Sequence, residues 1–175
     1  PHLTILAFQR VLEEVTDATL TLVGKGGGGE LFETCLILVK ALGLENRVDF
    51  AGALSHDLVA AKMRAARVFV QHSVTTQEHG DMEGKPVAIM EAMASGLPVI
   101  STNVGGIPFI VSHEHSAMLT PVDDAESMSE TIVSLVTDRE MREKLVRNAL
   151  KEVAKYGWPE VKPKWLALYK QRAAA

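Results

Sequence analysis

The sequence contains a single cysteine in 175 residues, so it cannot form an intrachain disulfide. The neighbours of Cys35 are mostly apolar, namely Leu31, Phe32, Leu36 and Val39. This setting is typical of a buried thiol that packs as a small apolar side chain. One unpaired cysteine also fits a reducing compartment. We therefore expect Cys35 to be structural rather than reactive, and the protein to be cytoplasmic.

Long apolar runs and an excess of positive charge are also missing. No stretch approaches the ~20 apolar residues that a membrane-spanning helix needs, and no signal peptide is visible. The formal net charge of -4 argues against nucleic-acid partners and against strong electrostatic binding to anionic membranes. With 47% hydrophobic residues, the chain can nevertheless bury the core of one domain.

The motifs of the common metal and phosphate-loop sites are missing too. There is no HExxH, no paired CxxC and no GxxxxGK[ST]. His113 and His115 form a short H-x-H in a predicted loop without a third ligand nearby. We therefore predict no metal site. His72 follows a predicted strand, and a contact between this side chain and a nucleotide stays open.

Short β-rich runs alternate with segments of helical periodicity. The predicted strands are 19–23, 47–50, 68–71, 98–101 and 117–120, and the predicted helices are 3–15, 31–42, 57–65, 87–94, 123–136, 138–156 and 161–172. Strands separated by helices, without hairpin turns, indicate parallel β–α units. In such sheets, ligands lie outside the carboxyl ends of the strands. Gly24, Gly52, Ser73, Gly105 and Gly106 all follow predicted strands, so we expect them at one ligand-binding edge.

The most informative segment reads EGKPVAIMEAMASG and runs from Glu83 to Gly96. It places two carboxylates, Glu83 and Glu91, on either side of a predicted helix start at Pro86. Proline suits the first helical position, and the free amides and dipole at a helix start favour an anion such as a diphosphate. Carboxylates accept hydrogen bonds from hydroxyls, so the segment suits a nucleotide sugar. Spacing alone leaves the alternative that both acids only complement the helix dipole.

Three further segments place this motif in a family context. They read SGLPVISTNVGGIP at 95–108, LTLVGKG at 20–26 and LENRVDFAG at 44–52. Together with EGKPVAIMEAMA they closely resemble the GT-B glycosyltransferases of family 4, the group 1 transferases. The pattern of that family is E-x7-E with EAMA-x-G-x-PV, followed by GG-I-P-E. The resemblance covers nearly the whole chain and points most to bacterial polysaccharide and colanic-acid-type transferases.

The resemblance implies an α/β fold: a Rossmann-like parallel sheet with helices on both faces, as in the C-terminal half of a GT-B enzyme. It implies retaining transfer of a sugar from a UDP-, GDP- or ADP-sugar to an acceptor in polysaccharide or glycolipid synthesis, without a cofactor. By position, Glu83 is the catalytic residue that contacts the donor sugar, and Glu91 contacts the ribose. The other implied donor-binding residues are Gly84, Lys85, Pro86, Val87, Gly24, Gly26, Gly52, Ser73, Gly105 and Gly106.

The sequence departs from the family pattern in three places. Phe109 stands where the family has the Glu of GG-I-P-E, and the run from Gly26 to Gly29 replaces a G-x-G-P turn. The chain starts at Pro1 with what resembles the first helix of the family's domain. The strand before that helix, with its phosphate-neutralising Arg and Lys, is therefore missing. We expect a sheet that lacks its first, central strand, with unpaired backbone groups at the gap.

We predict two units: a nucleotide-sugar-binding domain at 1–156, and at 157–175 a helix that in the family crosses back to an N-terminal acceptor-binding domain. That domain and the donor are the expected partners, and any peripheral association with the inner face of the membrane would run through it. The chain alone is expected to be inactive. Two alternatives stay open: a non-catalytic nucleotide-sugar-binding module that works with a partner subunit, and another GT-B enzyme such as a sugar-nucleotide epimerase.

Overall fold

A computed structural model of the chain describes residues 1–25, 29–75 and 84–173. The helices are α1 (His2–Glu14), α2 (Glu30–Ala41), α3 (His56–Ala65), α4 (Val87–Ala94), α5 (Ala125–Thr137), α6 (Arg139–Ala154) and α7 (Trp158–Ala173). The strands are β1 (Leu20–Val23), β2 (Val48–Gly52), β3 (Phe69–Gln71), β4 (Val99–Thr102) and β5 (Met118–Thr120), and a 3-10 turn spans Ile107–Phe109. Strands alternate with helices over most of the chain, as predicted.

The strands form two parallel sheets. One sheet pairs β1 with β2, and the other has the order β3–β4–β5. Within the described residues no ladder joins β1 to β3. This split agrees with the gap that the sequence predicts for a sheet without its central strand.

Strand β4 shows that helices cover both faces of the fold. All four of its residues are buried, and successive side chains of a strand point to opposite faces. Ile100 joins the core formed with α1, α2 and α5. Val99 joins a second core, with α4 and the turn at Ile107. The predicted layering, with helices on both sides of parallel strands, is therefore confirmed.

Two helix starts differ from the sequence prediction. Pro86 is the N-cap of α4, with φ -68° and ψ 105°, rather than its first helical residue. The break before the last helix is shorter than expected, because α7 already begins at Trp158. Pro159 lies in the first turn of α7, where a proline costs no helical hydrogen bond.

Helix α7 carries exposed aromatic side chains. Trp158 is 66% exposed and Tyr169 is 65% exposed, and the rings of Trp165 and Tyr169 stack with their centroids 6.0 Å apart. We call Trp158, Trp165, Leu168 and Tyr169 the aromatic face of α7. Large apolar groups left in water on one helix are typical of a surface that another body covers.

The single cysteine and the helix lengths bear on two sequence predictions. Cys35 is buried in the core beneath α2, and burial raises the pKa of its thiol. The prediction of a structural rather than reactive thiol is therefore supported. Within the described residues, none of the helices has both the length and the apolar character needed to cross a bilayer.

Candidate functional site

The start of α4 presents free backbone donors. The carbonyl of the N-cap Pro86 accepts the amides of Ile89 at 3.2 Å and Met90 at 3.4 Å. No side chain caps this helix end, and within the described part of the chain the amides of Val87 and Ala88 have no partner. Two unpaired N–H groups together with the helix dipole can hold an anion.

Glu91 lies on the same helix, one turn after Val87. Its carboxylate is 41% exposed, and its Oε1 lies 4.0 Å from Nδ1 of His56. A separation of 4.0 Å is too long for a hydrogen bond, so the Glu91 carboxylate keeps its capacity to accept hydroxyl donors. His56 is the first residue of α3. The contact therefore brings together two helices that each follow the carboxyl end of a strand.

The ends of β1 and β2 meet at two glycines. The amide of Gly24 donates to the carbonyl of Gly52 at 2.9 Å. Gly24 has φ 149° and Gly52 has φ 68°, and a Cβ at either position would meet no atom within 4 Å. The backbone conformation, rather than crowding, therefore requires glycine here. Both residues border a cavity of about 440 Å³, whose walls include Lys25, Phe32 and Phe50.

The ends of β3 and β4 are tied to one another through Ser73. The Ser73 amide donates to Thr102 Oγ1 at 3.0 Å, and that hydroxyl donates to the Ser73 carbonyl at 2.6 Å. Gln71 Nε2 donates to Ser73 Oγ at 3.3 Å. Because Ser73 is 8% exposed, its polar groups serve mainly to hold the loop. The following turn contains Gly105, with φ 56°, and Gly106, the N-cap of the 3-10 turn.

Tyr156 links the approach to α4 with the turn after β4. Lys85 Nζ lies 5.5 Å from the centroid of the Tyr156 ring, and the Tyr156 hydroxyl donates to the Phe109 carbonyl at 3.3 Å. The Phe109 ring itself is 79% exposed. The residue that replaces the family's Glu therefore does not pack into the core.

His72, directly after β3, has a buried ring nitrogen. Within the described residues its Nε2 is inaccessible and makes no hydrogen bond. Burial lowers the pKa of His72, the Pro1 amino group and His2 lower it further, and Asp123 opposes them. An imidazole that stays neutral at physiological pH follows from this setting. A contact between His72 and a nucleotide stays open.

The other histidines that suggested metal ligation have structural contacts. Nδ1 of His113 accepts the amide of Leu119 at 3.0 Å, and Asn148 donates to the carbonyl of His115 at 2.9 Å. Among the residues that the structure describes, no group of three potential ligands could hold a metal ion. The prediction that donor binding needs no metal stays a prediction.

The structure groups the predicted site residues only in part. It joins Gly24 to Gly52, and it joins the strand that precedes Ser73 to the strand that precedes Gly105. Over the described ranges, no hydrogen bond or ion pair connects the Gly24–Gly52 pair to the start of α4. Gly26 and Glu83 lie outside the described residues.

A second cavity lies at the other end of the strands. It has a volume of about 380 Å³ and is lined by Leu97, Pro98 and Arg142 among others. Leu97 and Pro98 precede β4, so this cavity opens at the amino edge. It is separate from the candidate site, which lies at the carboxyl edge.

The fold and this edge define a Rossmann-like α/β domain with a candidate anion site at the carboxyl ends of parallel strands. Residues 1–152 match the sequence profile of the family described as "Glycosyl transferases group 1". The chain belongs to this family. The matched part of the chain covers 22% to 41% of the length of several curated relatives.

Among these relatives is the amylovoran biosynthesis glycosyltransferase AmsK of Erwinia amylovora. It is 39% identical over 92 residues, which are 53% of this chain and 22% of AmsK. The solved structure of HepE from Anabaena, in complex with UDP and glucose, is 25% identical with a TM-score of 0.76, covering 89% of this chain and 40% of HepE. The C-terminal domain of LpcC from Francisella tularensis shares the fold at 22% identity and a TM-score of 0.73, covering 88% of this chain and 77% of that domain.

Proposed function

We propose that this chain binds the nucleotide-diphosphate sugar of a retaining glycosyltransferase that acts in polysaccharide or glycolipid synthesis. The start of α4 holds the diphosphate, Glu91 accepts hydrogen bonds from the ribose, and Glu83 contacts the donor sugar. The donor is a UDP-, GDP- or ADP-sugar, and no cofactor or metal takes part.

The observation that carries the proposal is the pairing of free amides and a free carboxylate on one short helix. The amides of Val87 and Ala88 are unpaired within the described residues, and Glu91 is partly exposed four positions later. At 1.5 Å per residue, Val87 and Glu91 are separated by about 6 Å along the axis. An anion at the helix start and hydroxyls one turn further on match the order of diphosphate and ribose in a nucleotide.

The same helix start supplies the chemistry that transfer requires. As the glycosidic bond to the donor breaks, negative charge grows on the departing diphosphate. Oriented amides and a helix dipole stabilise such charge without rearranging. Lys85, held near the Tyr156 ring, adds a positive charge on the same approach.

The acceptor belongs to a further domain in this proposal. Helix α7, within the predicted unit 157–175, crosses to that N-terminal domain, and its aromatic face packs against it. Residues 1–156 form the donor-binding domain. The protein is cytoplasmic in this proposal, and it associates peripherally with the membrane through the acceptor domain.

The proposal is tested by titrating the chain and its Glu91→Ala variant with UDP, GDP and ADP in a calorimeter. Loss of a charged hydrogen-bond acceptor should weaken the nucleotide that binds by about 1–3 kcal/mol, roughly five- to 150-fold. The matched control is Glu140→Ala, which removes an exposed acid from the first turn of α6. Unchanged affinity in Glu91→Ala, or an equal loss in the control, would remove Glu91 from the site.

A further inference from the structure

We propose that Tyr156 is a positioning residue of the donor site, which acts by holding the Lys85 ammonium beside the place where the diphosphate binds. The proposal rests on the proposed function, because it takes the start of α4 as the diphosphate site. Its structural basis is one aromatic side chain that touches two segments of the carboxyl edge. Lys85 Nζ lies 5.5 Å from the ring centroid, and the Tyr156 hydroxyl donates to the Phe109 carbonyl at 3.3 Å.

The Tyr156 side chain is anchored at three levels. Its backbone lies in the turn between α6 and α7, where its amide donates to the Val153 carbonyl at 3.0 Å. Its ring is partly buried against the core that contains Met93 of α4 and Val99 of β4. Its hydroxyl is held by the Phe109 carbonyl. A ring fixed in this way can restrict a flexible side chain that lies over it.

Lys85 is a flexible side chain of this kind. It is exposed, and among the residues that the structure describes its ammonium takes part in no ion pair. A lysine side chain loses much rotamer entropy when it binds a phosphate. Because an ammonium is attracted to the face of an aromatic ring, the Tyr156 ring restricts Lys85 before the ligand arrives and so reduces that loss.

The place of Lys85 in the fold favours a ligand over a structural role. Lys85 directly precedes Pro86, the N-cap of α4, and the positive end of a helix dipole disfavours a cation. A second lysine on the same ring shows the opposite setting. Lys155 Nζ lies 5.4 Å from the Tyr156 centroid, but Lys155 is the C-cap of α6, where the dipole favours a cation. The helix end thus explains Lys155, whereas an anion at the start of α4 explains Lys85.

The test is a double-mutant cycle in nucleotide affinity, measured by calorimetry with UDP, GDP and ADP. Lys85→Ala should weaken the nucleotide that binds about tenfold, and Tyr156→Leu should weaken it about two- to fivefold. In the double variant, Tyr156→Leu should add no loss to that of Lys85→Ala, because the ring acts through the ammonium. Tyr156→Phe, which keeps the ring, and the matched control Lys155→Ala should bind like the wild type.

Urea unfolding of each variant separates positioning from folding. Tyr156→Leu keeps an apolar side chain against the core, and Tyr156→Met takes its place in the cycle if the Leu variant does not unfold cooperatively. A purely structural role of Tyr156 would lower the affinity by the same factor in the wild-type and Lys85→Ala backgrounds. The coupling between the two substitutions therefore reports the positioning role itself.

Four results would show that the positioning proposal is wrong. They are an equal loss from Tyr156→Leu in both backgrounds, wild-type affinity in Tyr156→Leu, wild-type affinity in Lys85→Ala, and a loss in Lys155→Ala as large as that in Lys85→Ala. These results leave the proposed function standing. The proposed function itself fails if none of the three nucleotides binds the wild type, or if Glu91→Ala binds like the wild type.

Discussion

At the scale of single residues, the polar groups of the carboxyl edge fall into two sets. Ser73 and Thr102 satisfy one another through two hydrogen bonds, so they hold the loop in place. The amides of Val87 and Ala88 and the carboxylate of Glu91 are left without such partners among the described residues. Because unsatisfied groups gain most from a ligand, the second set defines where binding is expected.

His72 gives a prediction for stability as a function of pH. Its pKa is lowered in the folded chain from an ordinary value of 6.5. The unfolded chain therefore takes up a proton as the pH falls through about 6.5, whereas the folded chain does not. The contribution of His72 to stability is present above that pH and is lost progressively below it, by at most about 1.4 kcal/mol per pH unit.

Replacing His72 by Phe should remove this loss. We expect urea unfolding to show that His72→Phe and the wild type differ least above pH 7.5, and that the variant loses less stability between pH 6.5 and 5. The measurement is the free energy of unfolding at several pH values. An identical pH dependence in both proteins would show that burial of His72 does not affect its titration.

Single residues also show which features a sequence can predict. The burial of Cys35 followed from apolar neighbours at helical spacing, which is a local pattern. The pairing of His56 with Glu91 joins residues 35 positions apart on separate helices, and neither residue carries a local signal of it. The sequence indicated only that each residue lies at or near the start of a helix that follows a strand.

At the scale of elements, α4 carries the candidate site and was predicted with the bounds that the structure shows, Val87–Ala94. Apolar residues at helical spacing and the preceding proline predict both ends of this helix. The position of Pro86 was predicted one residue too far into the helix. The N-cap and the first helical residue differ only in backbone geometry, and both accommodate a proline.

Helix α6 packs against α4. The start of α6 depends on one side chain. Asp138 Oδ1 accepts the Met141 amide at 2.9 Å, which caps α6. The Asp138 amide also closes α5 by donating to Ser134 at 2.8 Å. We expect Asp138→Ala to lower the free energy of unfolding by about 1 kcal/mol, the usual effect of losing an N-cap.

The matched variant for this cap is Asp138→Asn, which keeps an oxygen acceptor and should lose little stability. Denaturant unfolding measures both effects, and nucleotide titration should show unchanged affinity, because Asp138 lies away from the carboxyl edge. If Asp138→Asn lowers the free energy of unfolding as much as Asp138→Ala, the charge of Asp138 rather than its hydrogen bond stabilises the start of α6.

At the scale of the whole molecule, the chain is expected to bind the donor without transferring its sugar. Its length, a fraction of that of its relatives, leaves the acceptor site to another domain in our proposal. Incubation with UDP-, GDP- and ADP-sugars should release no nucleoside diphosphate above the buffer rate. Release that disappears in Glu91→Ala would show that the chain is catalytic by itself, contrary to this prediction.

The fold class and the layering of the whole molecule were predictable because hydrophobic periodicity and turn residues repeat along the chain. The organisation of the sheet was predictable only through the family resemblance, since the split between β1 and β3 is a property of pairing between distant segments. The aromatic face of α7 was expected as well, but the sequence placed the start of that helix three residues too late.

The divided sheet has a further consequence. Leu22 of β1 and Val70 of β3 pack against the same core, while within the described residues each of these strands is paired along one side only. An extended polypeptide inserted between them would satisfy two rows of backbone donors and acceptors in one step. Because each sheet is parallel, such a segment would continue the parallel pairing of either sheet only if it ran in the direction of the strand beside it.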